Sequence, residues 1–160
     1  MVPGNYKILT IVSQSATAAE TTVSGYVDTL GYDYLCLNCN HVVSAAASPL
    51  TSLRVREDDT VPTAFTDMSA IVRLCGAAAT STSAGFVIPT ANSVVNNVEQ
   101  FNIDLRGRKR YIGVDLVPTV SGIVNVNALL LRGHVGKDQA VSVDVTLTTT
   151  VAQLRLNESC

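Results

Sequence analysis

Four short constellations in this chain carry residue types that do chemistry. Cys36-Leu37-Asn38-Cys39 is a C-x-x-C pair, the spacing found where two thiolates share a zinc ion or run dithiol exchange. His41 and His134, the two histidines, are potential bases or ligands. Asp58-Asp59 sets two carboxylates side by side, as a calcium loop would. Arg106-Gly107-Arg108-Lys109-Arg110 holds four of the eleven basic residues in five positions, a concentrated positive spot for an acidic partner.

The first three lose ground when their surroundings are read. A zinc site needs a second ligand pair, and Cys75, Cys160, His41 and His134 stand at no recognisable zinc spacing. Residues three apart in a strand point to opposite faces, so Cys36 and Cys39 converge only if the backbone turns. Dithiol exchange wants a helix N-terminus, which the pattern lacks. Cys36 and Cys75 read most simply as small apolar core residues. The histidines lie in strand-like stretches with no nucleophile elbow nearby, and are expected as hydrogen-bonded strand-end residues. Asp58-Asp59 reads as an Asx-type turn. Gly76 and Gly85 flank Ala, Thr and Ser with no lysine, so no phosphate-cradling loop is present. No catalytic residue, cofactor or metal is expected, and the chain is not read as an enzyme.

The basic run keeps two readings. It is a solvated hairpin turn whose charges keep a strand edge from pairing with stray chains, or it is a docking spot in which Arg106, Arg108, Lys109 and Arg110 meet carboxylates on another protein. Arg108 and Arg110 are expected on one side and Lys109 on the other. Nucleic acid is disfavoured, because no wider basic face or set of stacking aromatics supports the run.

The elements that position these residues are strands. Phe101–Leu105, Tyr111–Val117 and Val124–Arg132 each alternate apolar and polar side chains, and as consecutive strands they predict a meander. Upstream, Tyr6–Ser13, Val23–Thr29, Tyr32–Asn40 and Thr51–Glu57 read as strands, with Ser15–Thr22 as a link. Phe65–Cys75 reads as a helical turn followed by a strand, Gly76–Ala84 as a small-residue loop, and Phe86–Ile88 as a short strand. Downstream, Val141–Thr148 is a strongly alternating strand and Val151–Leu156 a possible tail. About nine or ten short strands at spacings of about 8–12 residues predict an all-β, jelly-roll-like antiparallel β-sandwich. The domain is expected over 1–139. The segment 140–160 is expected either to complete the sheet or to contact a neighbouring subunit.

Composition agrees with one domain. The chain has 160 residues, a net charge of −2, and only 15% charged residues, against about 25% in an average soluble domain. Such a surface gives no general drive toward nucleic acid or anionic membrane, and suits partial covering by other subunits. Near the N-terminus the apolar run Ile8–Val12 is too short for a secretion signal and suits an opening strand. No stretch approaches the roughly 18 apolar residues of a membrane span.

Four pieces carry a family likeness: Val27-Asp28-Thr29-Leu30-Gly31-Tyr32-Asp33-Tyr34, Leu53 through Asp59-Thr60, Phe101-Asn102-Ile103-Asp104-Leu105, and Arg108-Lys109-Arg110-Tyr111-Ile112-Gly113-Val114. In order and spacing they resemble the jelly-roll cement, or head-decoration, proteins of tailed bacteriophages, over roughly residues 5 to 136. Ala140 to Cys160 departs from that pattern. The resemblance implies a virion protein on the outer surface of the capsid, assembled in the host cytoplasm and stabilising the head shell. The implied partners are the major capsid protein and further copies of the chain as a homo-oligomer, trimeric in preference to dimeric. The competing function is a carbohydrate-binding or adhesin-like β-sandwich, against which stands the absence of tryptophan.

Overall fold

The structure is a computed structural model that describes residues 6–43, 50–74, 77–83, 85–86, 96–132 and 152–157. The strands are β1 (Tyr6–Thr17), β2 (Val23–Asp28), β3 (Tyr34–Val43), β4 (Leu50–Asp58), β5 (Ser69–Ala70), β6 (Arg73–Leu74), β7 (Ala77–Ser81), β8 (Gly85–Phe86), β9 (Asn96–Asp104), β10 (Tyr111–Pro118), β11 (Gly122–Leu131) and β12 (Ala152–Asn157). A 3-10 turn, Phe65–Asp67, precedes β5. Among the described residues there is no α-helix.

One sheet runs β1-β11-β3-β9-β12 and the other β2-β10-β4-β8-β7-β6, with β5 also on the far edge of β4. The chain alternates between them, and its pairs nest: β1 with β11, β2 with β10, β3 with β9, and β4 with β8. Nested pairing of early with late strands across two sheets is the jelly roll. The innermost pair is irregular, since β4 meets β8 in parallel through Leu53 and Gly85 and meets β5 antiparallel at Arg56 and Glu57.

The alternating pattern builds the core. Leu35, Leu37 and Cys39 of β3, Phe101 and Ile103 of β9, and Val124, Val126, Ala128 and Leu130 of β11 face Leu53, Val55, Ile112, Val114 and Leu116 of the other sheet. Each is no more than 1% exposed. Phe86 of β8 crosses the gap to Phe101, with ring centroids 5.4 Å apart. At the side of the sandwich β1 passes over β2 at Gly25, where an added Cβ would lie 2.6 Å from the Ile11 carbonyl oxygen. No side chain fits there without parting the strands.

Several sequence expectations are corrected. The predicted meander does not form, because β9 already has β3 and β12 on its two edges and β11 has β1 and β3, leaving β10 to join the opposite sheet. The expected link after Ser13 is strand as far as Thr17, carried past two register shifts. Ala77–Ser81 is a strand within the expected loop; its small side chains let it lie close against β6 and β8, with Ala79 against the core. Cys36 is buried as expected but on the outer side of β3, where its thiol accepts from Gln100 Nε2 at 3.1 Å, and Cys39 takes the position between the sheets. Burial is the main cause that pushes the Cys39 thiol well above its ordinary pKa. Strand β12 runs parallel to β9 in register Ala152 with Asn97 to Asn157 with Asn102. The expected strand Val141–Thr148, together with Cys75, His134 and Cys160, lies outside the described residues.

Candidate docking surface

The basic run is the connection between β9 and β10, and it crosses one end of the sandwich. Tyr6, Leu131, Tyr34 and Asp104 are level at that end in the first sheet, and Asp28, Tyr111 and Asp58 in the second. The turn is fixed from both sides: Leu105 is buried, its N–H donates to the Asp33 carbonyl at 2.8 Å, and the Arg108 N–H donates to the Leu105 carbonyl at 3.0 Å. Gly107 takes φ +80° at the tip, with open space around it. The left-handed conformation explains a glycine inside an otherwise basic run.

Each of the four predicted docking residues has a partner in its own chain. Arg106 grips Asp104 through Nε, 2.9 Å from both carboxylate oxygens, and lies over the Tyr34 ring. Arg108 reaches the Glu57 carboxylate at 3.9 Å and donates to the Arg73 carbonyl at 3.3 Å. Lys109 donates from Nζ to Ser69 Oγ at 3.1 Å. Arg110 forms a two-point fork with Asp28, 3.0 and 2.7 Å, and stacks on the Tyr111 ring at 5.0 Å. Arg108 and Lys109 therefore lean toward β4 and β5 while Arg110 turns to β2. The alternation expected of an extended chain gives way because this is a turn. The positive spot read from the sequence is offset, and the end presents arginine forks interleaved with carboxylates.

The electrostatics follow the pairing. The Arg110 guanidinium holds the Asp28 carboxyl below its ordinary pKa, and Arg106 does the same for Asp104. Asp58 is lowered chiefly by the Thr60 N–H, donated at 3.0 Å, with the Thr60 hydroxyl at 3.1 Å. This is the geometry of an Asx turn. The opposite end contrasts sharply. Its described loops, 18–22 and 119–121, carry one charged residue, Glu20.

A pair that the sequence reading missed lies inside the sandwich. His41 Nε2 and Glu99 Oε1 are 2.8 Å apart on the inner face of neighbouring strands β3 and β9, with side chains 0% and 3% exposed. Among the described residues, His41 Nδ1 and Glu99 Oε2 have no hydrogen-bond partner. The signal was present, since Glu99 is in phase with Phe101 and Ile103 and so had to face inward. Among the described residues no three His, Cys, Asp or Glu side chains group as a metal site.

A shallow groove of about 400 Å³ lies along β2, lined by Ile11, Ser24, Gly25, Tyr26, Pro62, Thr63, Ala64 and Phe65. Tyr26 is 44% exposed and packs edge-on against Tyr111 at 6.0 Å.

No protein-family model, curated protein or solved structure matches the chain. The surface must be read from its own residues.

Proposed function

We propose that this chain is a capsid cement, or head-decoration, protein: a rigid jelly-roll module that binds across major capsid protein subunits on the outer surface of the shell and stiffens it. The reading makes it a structural protein of the virion rather than an enzyme, acting as a homo-oligomer. The observation that carries it is the polarised sandwich. One end gathers arginine forks and carboxylates on a turn fixed from both sides, and the described loops of the other carry one charge, Glu20.

Mixed-sign ends dock selectively. A pair such as Arg110 with Asp28 offers a partner both a donor fork and an acceptor, and wrong juxtapositions of like charge cost several kcal/mol, roughly. Surface pairs of this kind contribute about 0–1 kcal/mol each to the fold, so exchanging them for contacts across an interface costs the fold little. Affinity then comes from number. An oligomer engaging several lattice subunits gains about two to four orders of magnitude through effective concentration. The jelly roll also serves viral shells and lectins, which is analogy at the level of fold alone.

The test is co-sedimentation of the purified chain with undecorated shells, with the melting temperature of the shells as second readout. Wild type is expected to bind stoichiometrically and raise that temperature. Changing Arg106, Arg108, Lys109 and Arg110 together to Ser is expected to weaken binding and reduce its salt sensitivity. Unchanged decoration at low and high salt would exclude this turn as the docking element.

The β2 groove supports a second reading, a carbohydrate-binding module, because Tyr26 gives a sugar an exposed ring beside the hydroxyls of Ser24 and Thr63. A glycan screen in which Tyr26→Ala abolishes a hit would favour it.

A further inference from the structure

We infer that the outer face of the β1-β11-β3-β9 sheet is the docking surface for a second copy of this chain. Register fixes the face: Ile8 lies beside Leu129, Asn127 beside Asn38, and Asn38 beside Gln100, so these side chains share one outward surface. Among the described residues of these four strands, that face carries no Lys, Arg or Glu. Its one carboxylate, Asp104, sits at the corner in the grip of Arg106. Beyond β9 the edge strand β12 brings Arg155 level with Gln100, so the patch without Lys, Arg or Glu is that of these four strands.

Side-chain amides lie flat on it. Gln100 Nε2 donates to Asn38 Oδ1 at 3.1 Å, and Asn127, which accepts from Thr10 at 2.9 Å, donates in turn to Asn125. Apolar surface flanks them, with Tyr6 56% and Ile8 65% exposed. Four strands about 4.8 Å apart and some nine residues long offer roughly 600 Å² of plane. Accessible area exceeds plane area, which brings the face near the roughly 800 Å² each partner buries in a standard interface.

Chemistry selects the partner. A twofold contact lays a patch on its own copy, which a patch of single-sign charge resists and a patch of amides accepts, since every amide brings both donors and an acceptor. Two such faces stack about 10 Å apart, as sheets do within a sandwich. A twofold contact makes pairs, so the trimer that the family resemblance implies would need another surface. The inference rests on the homo-oligomer part of the proposed function, and its test uses no shell, so its failure and a failure of shell binding are separate results.

The experiment is sedimentation velocity of the full chain over a concentration series, with Ile8→Glu, Asn127→Arg and, as control, Val61→Ser, at a residue 60% exposed in the loop after β4. Wild type and the control are expected as dimers, and each face variant is expected to dissociate to monomer with its dimer constant weakened by about tenfold or more. Hydrogen exchange in 125–131 that slows with wild-type concentration is expected as well, and needs no variant to fold. A monomeric wild type, face variants as associated as wild type, or exchange independent of concentration would each overturn the inference. A monomer whose face is nevertheless protected would assign the covering to the chain's own remaining segments.

Discussion

The two outer faces of the sandwich arise from the same alternating code and end differently. On the β2-β10-β4 sheet the outward positions of β10 are Tyr111, Gly113, Asp115 and Val117, which alternation alone assigns to solvent; the first three are buried. The chain returns over them. An added Cβ on Gly113 would lie 2.8 Å from Met68 Sδ and 2.9 Å from the Phe65 ring, and Arg56 holds that flap, its guanidinium 5.1 Å from the Phe65 centroid and donating to the Met68 carbonyl at 3.1 Å. Below it Arg54 forks onto Asp115 at 2.7 and 2.6 Å. On the β1-β11-β3-β9 sheet nothing comparable returns among the described residues, and amides and apolar side chains stay at the surface. The charged outward residues Arg54, Arg56 and Asp115 are therefore covered or paired by their own chain, while among the described residues no returning segment covers the amide patch of the other sheet.

The sharpest way to break that contrast is to remove one partner beneath the flap. Asp115→Ala leaves the Arg54 guanidinium without its fork in a site where Asp115 is 2% exposed, and is expected to cost about 3–5 kcal/mol in denaturant unfolding. Asn127→Ala, on the open face, is expected to change stability by less than about 0.5 kcal/mol. The double change Arg54→Met with Asp115→Leu should recover most of the loss, because no charge is then left stranded. Equal costs for the two single changes would erase the distinction between the faces.

A smaller effect is expected from lifting the flap sterically. Gly113→Val drives a branched side chain against Phe65 and Met68 and should cost about 1–3 kcal/mol, the usual toll of overpacking. Adding Met68→Ala to it should restore part of that loss, which a fault in the β10 ladder itself would not allow. Proteolysis in the 59–64 loop is the second readout, expected to speed up in Gly113→Val alone.

Alternation made the core legible. Leu35, Leu37, Ile112, Val114, Val124 and Val126 all face inward as the period of two requires, and the jelly roll follows from short strands with long connections. Sheet membership was not legible, because strand periodicity says which side chains share a face and nothing about which strand lies next door. The meander failed for that reason, and β9, β10 and β11 divide between two sheets. The docking run was legible as position and not as charge: Arg110 looks bare beside Lys109, yet its fork partner Asp28 is 82 residues away. The same distance in sequence hid the closure of β10 by Phe65 and Met68. Glu99 is the reverse case, since its phase with Phe101 gave it away and only its polarity argued against reading it as buried.

Acid titration separates the regions with the smallest effect. Asp28 has a folded pKa below its ordinary value, so its stabilising contribution is present above the unfolded pKa near 3.9, roughly, and is lost as pH falls through the lower folded value. Asp115 runs the other way: burial, its largest influence, raises its pKa against the pull of Arg54, so it disfavours the fold as pH rises through the raised value. Asp28→Asn should therefore flatten the acid limb of the stability curve below about pH 4, by no more than about 1 kcal/mol because the pair is half exposed to screening solvent. Asp115→Asn should steepen the rise of stability above about pH 4, where its opposing contribution sets in. Asn127→Asp puts a carboxylate on the open face with no arginine to lower its pKa, and is expected to leave the shape of the curve unchanged in the monomer. A steeper limb for that variant would mean that the open face already faces charge.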